Sequence, residues 1–175
     1  IRSKFHEVRL CGLVILTLQY KAAKERKTKK KLFDLYMEAM TDGYINNWDL
    51  VDVTAPIIGE YLIDLDDPYV LLYKLAKSKS LWQRRVSMVF TFAFIRSGDI
   101  EPTFEMAEKL LHDKHDLIHK AVGWMLKEMG KRVRGMAKKK IFNSAEEFKS
   151  AFQKNGLIQL DGYQVIGDLA FIPTG

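Results

Sequence analysis

The chain has 175 residues, 47% of them hydrophobic and 11% aromatic, enough to bury the core of one ordinary domain. Its longest apolar run, Leu10 to Tyr20, is too short to cross a bilayer, so no membrane segment is expected, and a lone cysteine, Cys11, excludes an internal disulfide and reads as a small core residue in a reducing, cytoplasmic setting. The net charge of +6 is regional: Lys21 to Lys31 holds seven basic residues against Glu25, and Lys131 to Lys140 holds six with no acid, which suits a polyanion through counterion release but reads equally as solvated linker.

Helical periodicity dominates the chain. His6 to Ala22 carries Val8, Leu10, Cys11, Val14, Ile15 and Leu18 at the spacing of a buried helix stripe. Lys29 to Met40 repeats the pattern with Leu32, Phe33, Tyr36, Met37 and Met40, and Asp42-Gly43 closes it. Asn47 is an N-cap for the next run, where Trp48 and Asp52 are four apart and project from one face. Pro56 lacks an N–H and clashes with the Asp52 carbonyl, so this helix should kink or break directly after Asp52. Asp66-Asp67-Pro68 turns into a short helix through Ala76, and Ser80 caps Leu81 to Ile95, which Ser97-Gly98 ends. Glu101-Pro102 opens a helix through Leu111, and Asp116 starts the last strong one, ending near Gly130. After Gly135-Met136 the pattern shifts to a basic linker and a helix capped by Asn143 or Ser144, with Phe148 and Phe152 on one face. A hairpin of Leu157 to Leu160 and Tyr163 to Ile166 about Asp161-Gly162 follows.

An internal repeat decides the architecture. Arg9-Leu10-Cys11-Gly12-Leu13 pairs with Arg84-Arg85-Val86-Ser87-Met88 at an offset of 75, and that window with Lys120-Ala121-Val122-Gly123-Trp124 at 36. A two-helix unit of that length cannot bury its apolar face alone, so neighbours must stack. The expected fold is all-α, an α-solenoid of HEAT-like helical repeats over residues 1–132, with residues 133–175 a small α+β extension. The second helix of each unit would line a concave surface carrying Trp48 and Asp52.

Several residues are candidates for chemistry, each with a structural rival. Trp48 beside Asp52 offers a π face and a carboxylate to a cation, whereas a core indole and a solvated acid would look the same. Arg85 can grip a phosphate or pair at the core edge with an acid such as Glu60, and Arg84 can be the phosphate ligand instead. Lys120 and Lys127 flank Trp124 at helical spacings, a row that suits DNA, although a Trp after Gly123 is often a core anchor. Trp82 reads as packing. His6, His112, His115 and His119 show no metal-ligand spacing and read as structural or surface residues.

The segments Asn46-Asn-Trp-Asp-Leu-Val-Asp52, Leu81-Trp-Gln-Arg-Arg-Val-Ser-Met88 and Lys120-Ala-Val-Gly-Trp-Met-Leu-Lys-Glu128, in this order, resemble the AlkD-like DNA alkylation repair glycosylases built from HEAT-like repeats. The resemblance covers roughly residues 4–132. It implies hydrolysis of the N-glycosidic bond of positively charged alkylated purines, of the 3-methyladenine or 7-methylguanine type, in duplex DNA. By the family pattern Asp52 is the catalytic carboxylate, Trp48 and Trp124 are aromatic walls, and Arg85 grips phosphate near the lesion. No deep base-flipping pocket, no metal and no other cofactor are implied, and the chain is expected to act as a monomer in the cytoplasm, associated with the nucleoid when on DNA. Lys127 stands where the family commonly has Arg, family helices ahead of Lys4 are not displayed here, and residues 136–175 do not resemble the family's closing helices. A non-catalytic HEAT-repeat scaffold for DNA or protein is the alternative.

Overall fold

The computed structural model describes residues 1–138 and two short strands, β1 Tyr163–Ile166 and β2 Ala170–Pro173. Residues 1–138 run through α1 His6–Ala22, α2 Arg26–Thr41, α3 Trp48–Ile58, α4 Tyr69–Ala76, α5 Leu81–Ser97, α6 Glu101–Leu110 and α7 Asp116–Lys138. Helices α1, α3, α5 and α7 pack in succession, each on the next, while α2, α4 and α6 form a second layer behind them. Stacked helix pairs of this kind are what an α-solenoid requires. Among the described residues no helix is long and apolar enough to cross a membrane.

Helix α5 is the hub, touching members of both layers, and it is buried on nearly every side from Arg85 to Ile95. Gly98 ends it in a left-handed conformation, φ 97°, from which the Gly98 and Asp99 N–H groups reach back to the carbonyls of Ile95 and Phe94. Against α5 lies the end of α3. A Cβ on Gly59 would sit 2.8 Å from the Phe90 carbonyl, so only glycine lets the two backbones approach this closely. That contact also locates the break in α3. The helix passes through Pro56 and changes to a 3-10 turn only at Gly59–Asp64, because Leu50, Val51, Thr54, Ala55 and Ile58 are all buried and their packing outweighs the one bond lost at proline.

The phase of α1 differs from the expected stripe. Leu13, Leu16, Thr17 and Tyr20 are buried, while Val8, Cys11, Ile15 and Leu18 are exposed on the opposite side. The helix is apolar nearly all round, so periodicity alone leaves its inward face open, and among the described residues α1 has an inner-layer neighbour, α3, on one side only. Cys11 is therefore a surface thiol, not a core residue. Helix α7 runs past Gly130 to Lys138, since Met129, Gly130 and Val133 are buried and that packing offsets the roughly 1 kcal/mol intrinsic cost of a mid-helix glycine.

Lys21 to Lys31 spans the end of α1, a three-residue connection and the start of α2, with Lys30 paired to Asp34 at 2.7 Å and Arg26 donating to the Asp64 carbonyl at 2.9 Å. The helix expected after Asn143, the strand over 157–160 and the Asp161-Gly162 turn lie outside the described residues. Within them, Tyr163–Ile166 pairs antiparallel with Ala170–Pro173.

Candidate functional site

Asp52 is the fifth residue of α3 and Arg85 the fifth of α5, and the seam between those helices brings them together. Arg85 Nε donates to Asp52 Oδ1 at 2.9 Å and Nη2 donates to Oδ2 at 2.7 Å, a two-pronged clasp, while Nη1 donates to the Leu117 carbonyl in the first turn of α7. One guanidinium thus ties three inner helices at a single level. Arg85 is only 5% exposed, so it is turned inward instead of standing free for a phosphate, and its acid is Asp52 rather than Glu60, which pairs with Arg96. The Asp52 side chain keeps 18% of its surface open. Each carboxylate oxygen accepts one N–H from Arg85 and retains a lone pair for another partner.

Behind Asp52 lies a buried hydroxyl pair. The Tyr36 and Thr54 hydroxyls are 3.2 Å apart, and Thr54 also donates to the Leu50 carbonyl, which fixes the α3 turn that carries Asp52. Burial holds the Tyr36 phenol far above its usual range, and the nearby Asp52 charge pushes it the same way, so it stays a neutral hydroxyl.

The two indoles flank this level. Trp48 opens α3 one turn, about 6 Å, before Asp52 and is 53% exposed, so the core reading of this indole is set aside. Trp124 lies on α7 seven residues past Leu117, on the same face and about 10 Å further along. Its half-buried ring meets Phe92 at 6.1 Å, and Phe92 is itself seven residues past Arg85. Arg85–Leu117 and Phe92–Trp124 are therefore successive rungs of the α5–α7 seam. Since the inner helices run parallel, Asp52 falls between the two indoles along the helix direction.

The remaining basic candidates divide into two kinds. Arg84 donates from Nε to Asp113 at 2.6 Å and from Nη1 to the carbonyls of Ser78 and Lys79, so it fastens the start of α5 to the turn before α7. Lys120 is exposed and paired with Asp116 at 2.6 Å, while Lys127 is exposed with no ion pair among the described residues. Trp82 is half-buried and packs on the core.

Two partners escape sequence reading. His6 Nε2 donates to Asp49 Oδ2 at 2.7 Å, joining α1 to the first turn of α3 across a separation of 43 residues. Arg9 Nη2 donates to Asn46 Oδ1 at 3.1 Å, and its Nη1 donates to the carbonyls of Ser3 and Lys4. Arg9 and Arg84 make the same pair of backbone bonds at equivalent positions, so the offset of 75 in the sequence was the available signal for them; nothing local announces His6. No group of three or more His, Cys, Asp or Glu among the described residues could hold a metal ion.

Nothing among curated proteins or solved structures matches the chain significantly. A family model described as DNA alkylation repair enzyme matches residues 1–154, and all of Trp48, Asp52, Arg85 and Trp124 fall within that span. The chain belongs to the DNA alkylation repair enzyme family.

Proposed function

We propose that the protein is a DNA glycosylase that releases cationic alkylated purines, such as 3-methyladenine or 7-methylguanine, from duplex DNA, with Asp52 as its catalytic carboxylate. The observation that carries this reading is a partly open carboxylate, oriented through both oxygens, one turn from an exposed indole, in a DNA alkylation repair enzyme.

An alkylated purine already bears positive charge, so the C1′–N bond breaks with its electron pair moving onto the departing base and no general acid is needed. Water then bonds to C1′ and loses a proton. Positive charge appears on the sugar as the bond lengthens, and a carboxylate about 4 Å away lowers its energy by roughly 4 kcal/mol at an effective dielectric of 20. The guanidinium paired with Asp52 opposes this. Standing about twice as far from the sugar, it removes roughly 2 kcal/mol and leaves roughly 2, a factor of about thirty in rate. Arg85 therefore acts in this scheme on the carboxylate and the three helices it joins, not on DNA phosphate. Trp48 and Trp124 serve as aromatic walls for the cationic sugar, and Lys127 and Lys120 as phosphate contacts. Chemistry on the sugar does not require a deep base pocket.

The same ion pair favours a second reading, a helical-repeat scaffold that holds DNA without chemistry, because a neutralised acid would suffice there. A duplex oligonucleotide with one 7-methylguanine separates the two. Release of the free base supports the enzyme; binding without release supports the scaffold.

A further inference from the structure

With 53% of its surface open, Trp48 receives little direction from packing, so its indole is placed by the backbone that launches it. That backbone is held from α1. On one side of Trp48, Asn46 Oδ1 accepts from Arg9 Nη2; on the other, Asp49 spends Oδ1 on the Leu50 N–H at 2.8 Å and Oδ2 on His6 Nε2 at 2.7 Å. Asn47 Oδ1 accepts the Trp48 N–H at 2.8 Å between them.

The internal repeat sorts architecture from specialisation. Ser3-Lys4-Phe5-His6 at the start of α1 corresponds to Ser78-Lys79-Ser80-Leu81 at the start of α5. Ser3 and Ser78 both accept the N–H two residues on, at 3.1 and 3.0 Å, and Arg9 and Arg84 both clamp the two carbonyls before the helix. Those bonds recur, so they belong to helix stacking. His6 does not recur: its counterpart is Leu81, an apolar residue that serves the stack equally well. This unrepeated bond of α1 goes to the turn that presents the exposed indole.

We propose that His6 is a positioning residue, which through Asp49 sets the direction of Trp48. The proposal rests on Trp48 being an aromatic wall of the site. The test is His6→Leu, which installs the residue the other repeat uses and so preserves packing, beside His6→Gln, whose amide can restore the bond to Asp49. In a Trp82→Phe/Trp124→Phe background Trp48 is the sole tryptophan and is excited selectively at wavelengths that tyrosine does not absorb. There His6→Leu is expected to lower its anisotropy and to raise acrylamide quenching about twofold, with His6→Gln near the parent. With native tryptophans, single-turnover release of 7-methylguanine from a duplex oligonucleotide is expected to fall about tenfold in His6→Leu and to recover in His6→Gln, at unchanged affinity for unmodified duplex. Wild-type anisotropy in His6→Leu overturns the assignment, as does a loosened indole with undiminished release, or a His6→Gln as impaired as His6→Leu. Should His6→Leu not fold, His6→Phe keeps an aromatic ring without the nitrogen, removes the same bond and leaves Asp49 on the Leu50 N–H, and is read identically. If the native protein releases no methylpurine, the glycosylase reading fails, and the fluorescence comparison alone decides whether His6 orients Trp48.

Discussion

The guanidinium of Arg85 clasps both oxygens of Asp52, Nε to Oδ1 at 2.9 Å and Nη2 to Oδ2 at 2.7 Å. The pair sits where α3, α5 and α7 meet, with the arginine buried and the acid partly open. Removing one partner strands the other. Arg85→Gln is expected to lower stability by about 3 kcal/mol, whereas the double change Arg85→Met/Asp52→Leu loses less than the sum of its single changes, because no buried charge is left unpaired. Urea denaturation of the native protein, Arg85→Gln, Arg85→Met, Asp52→Leu and the double measures the difference.

The two indoles should separate stability from function in opposite proportions. Trp48 is exposed, so Trp48→Ala is expected to change stability by no more than about 0.5 kcal/mol while slowing base release about tenfold. Trp124 is half-buried against Phe92, so Trp124→Ala loses about 2 kcal/mol as well as activity. Thermal melts alongside single-turnover kinetics check both.

Basic residues should sort by salt dependence. Lys127→Ala and Lys120→Ala, both at exposed positions, are each expected to reduce the slope of log K against log salt for duplex binding by about 1 without changing the melting temperature. Arg84→Ala is expected to do the reverse, since its guanidinium is committed to Asp113, Ser78 and Lys79. Fluorescence anisotropy titrations of labelled duplex at several salt concentrations provide the slopes.

Asp113 links this fastening to pH. Burial alone would raise its carboxyl, but hydrogen bonds from Arg84 and from the His115 N–H outweigh that and leave it below its ordinary value. A carboxyl depressed in the folded state contributes stability above its unfolded value, near 3.9, and loses it as pH falls through the folded value. The stability gap between the native protein and Asp113→Asn is therefore expected to be full near neutrality and to close below about pH 4. Denaturation midpoints from pH 7 to pH 3 follow it.

How much of this was legible in the sequence varied with the distance between partners. Asn47, Pro68 and Gly98 mark helix ends by local chemistry, and the structure uses them there. The inward face of α1 was not legible, because Val8, Ile15 and Leu18 are as apolar as Leu13 and Leu16 and only the position of α3 selects between the two rows. The break after Asp52 was misplaced because Pro56 is a local signal, while Gly59 against Phe90 is a tertiary one. Trp48 and Asp52 could be read as one face of one helix. That Arg85 would turn to Asp52, 33 residues away, could not, since a guanidinium suits phosphate and carboxylate equally and only the seam between α3 and α5 supplies the carboxylate.

Asp52 carries the proposed chemistry, and single-turnover release of 7-methylguanine from a duplex oligonucleotide by the native protein and by Asp52→Asn measures it most directly, with circular dichroism establishing that both are folded. Asn keeps the size and one acceptor for Arg85 but loses the charge while the guanidinium stays, so the roughly 4 kcal/mol from the carboxylate is lost and release is expected to fall by about a thousandfold while duplex binding is retained. A folded Asp52→Asn that releases the base at the native rate would contradict the account.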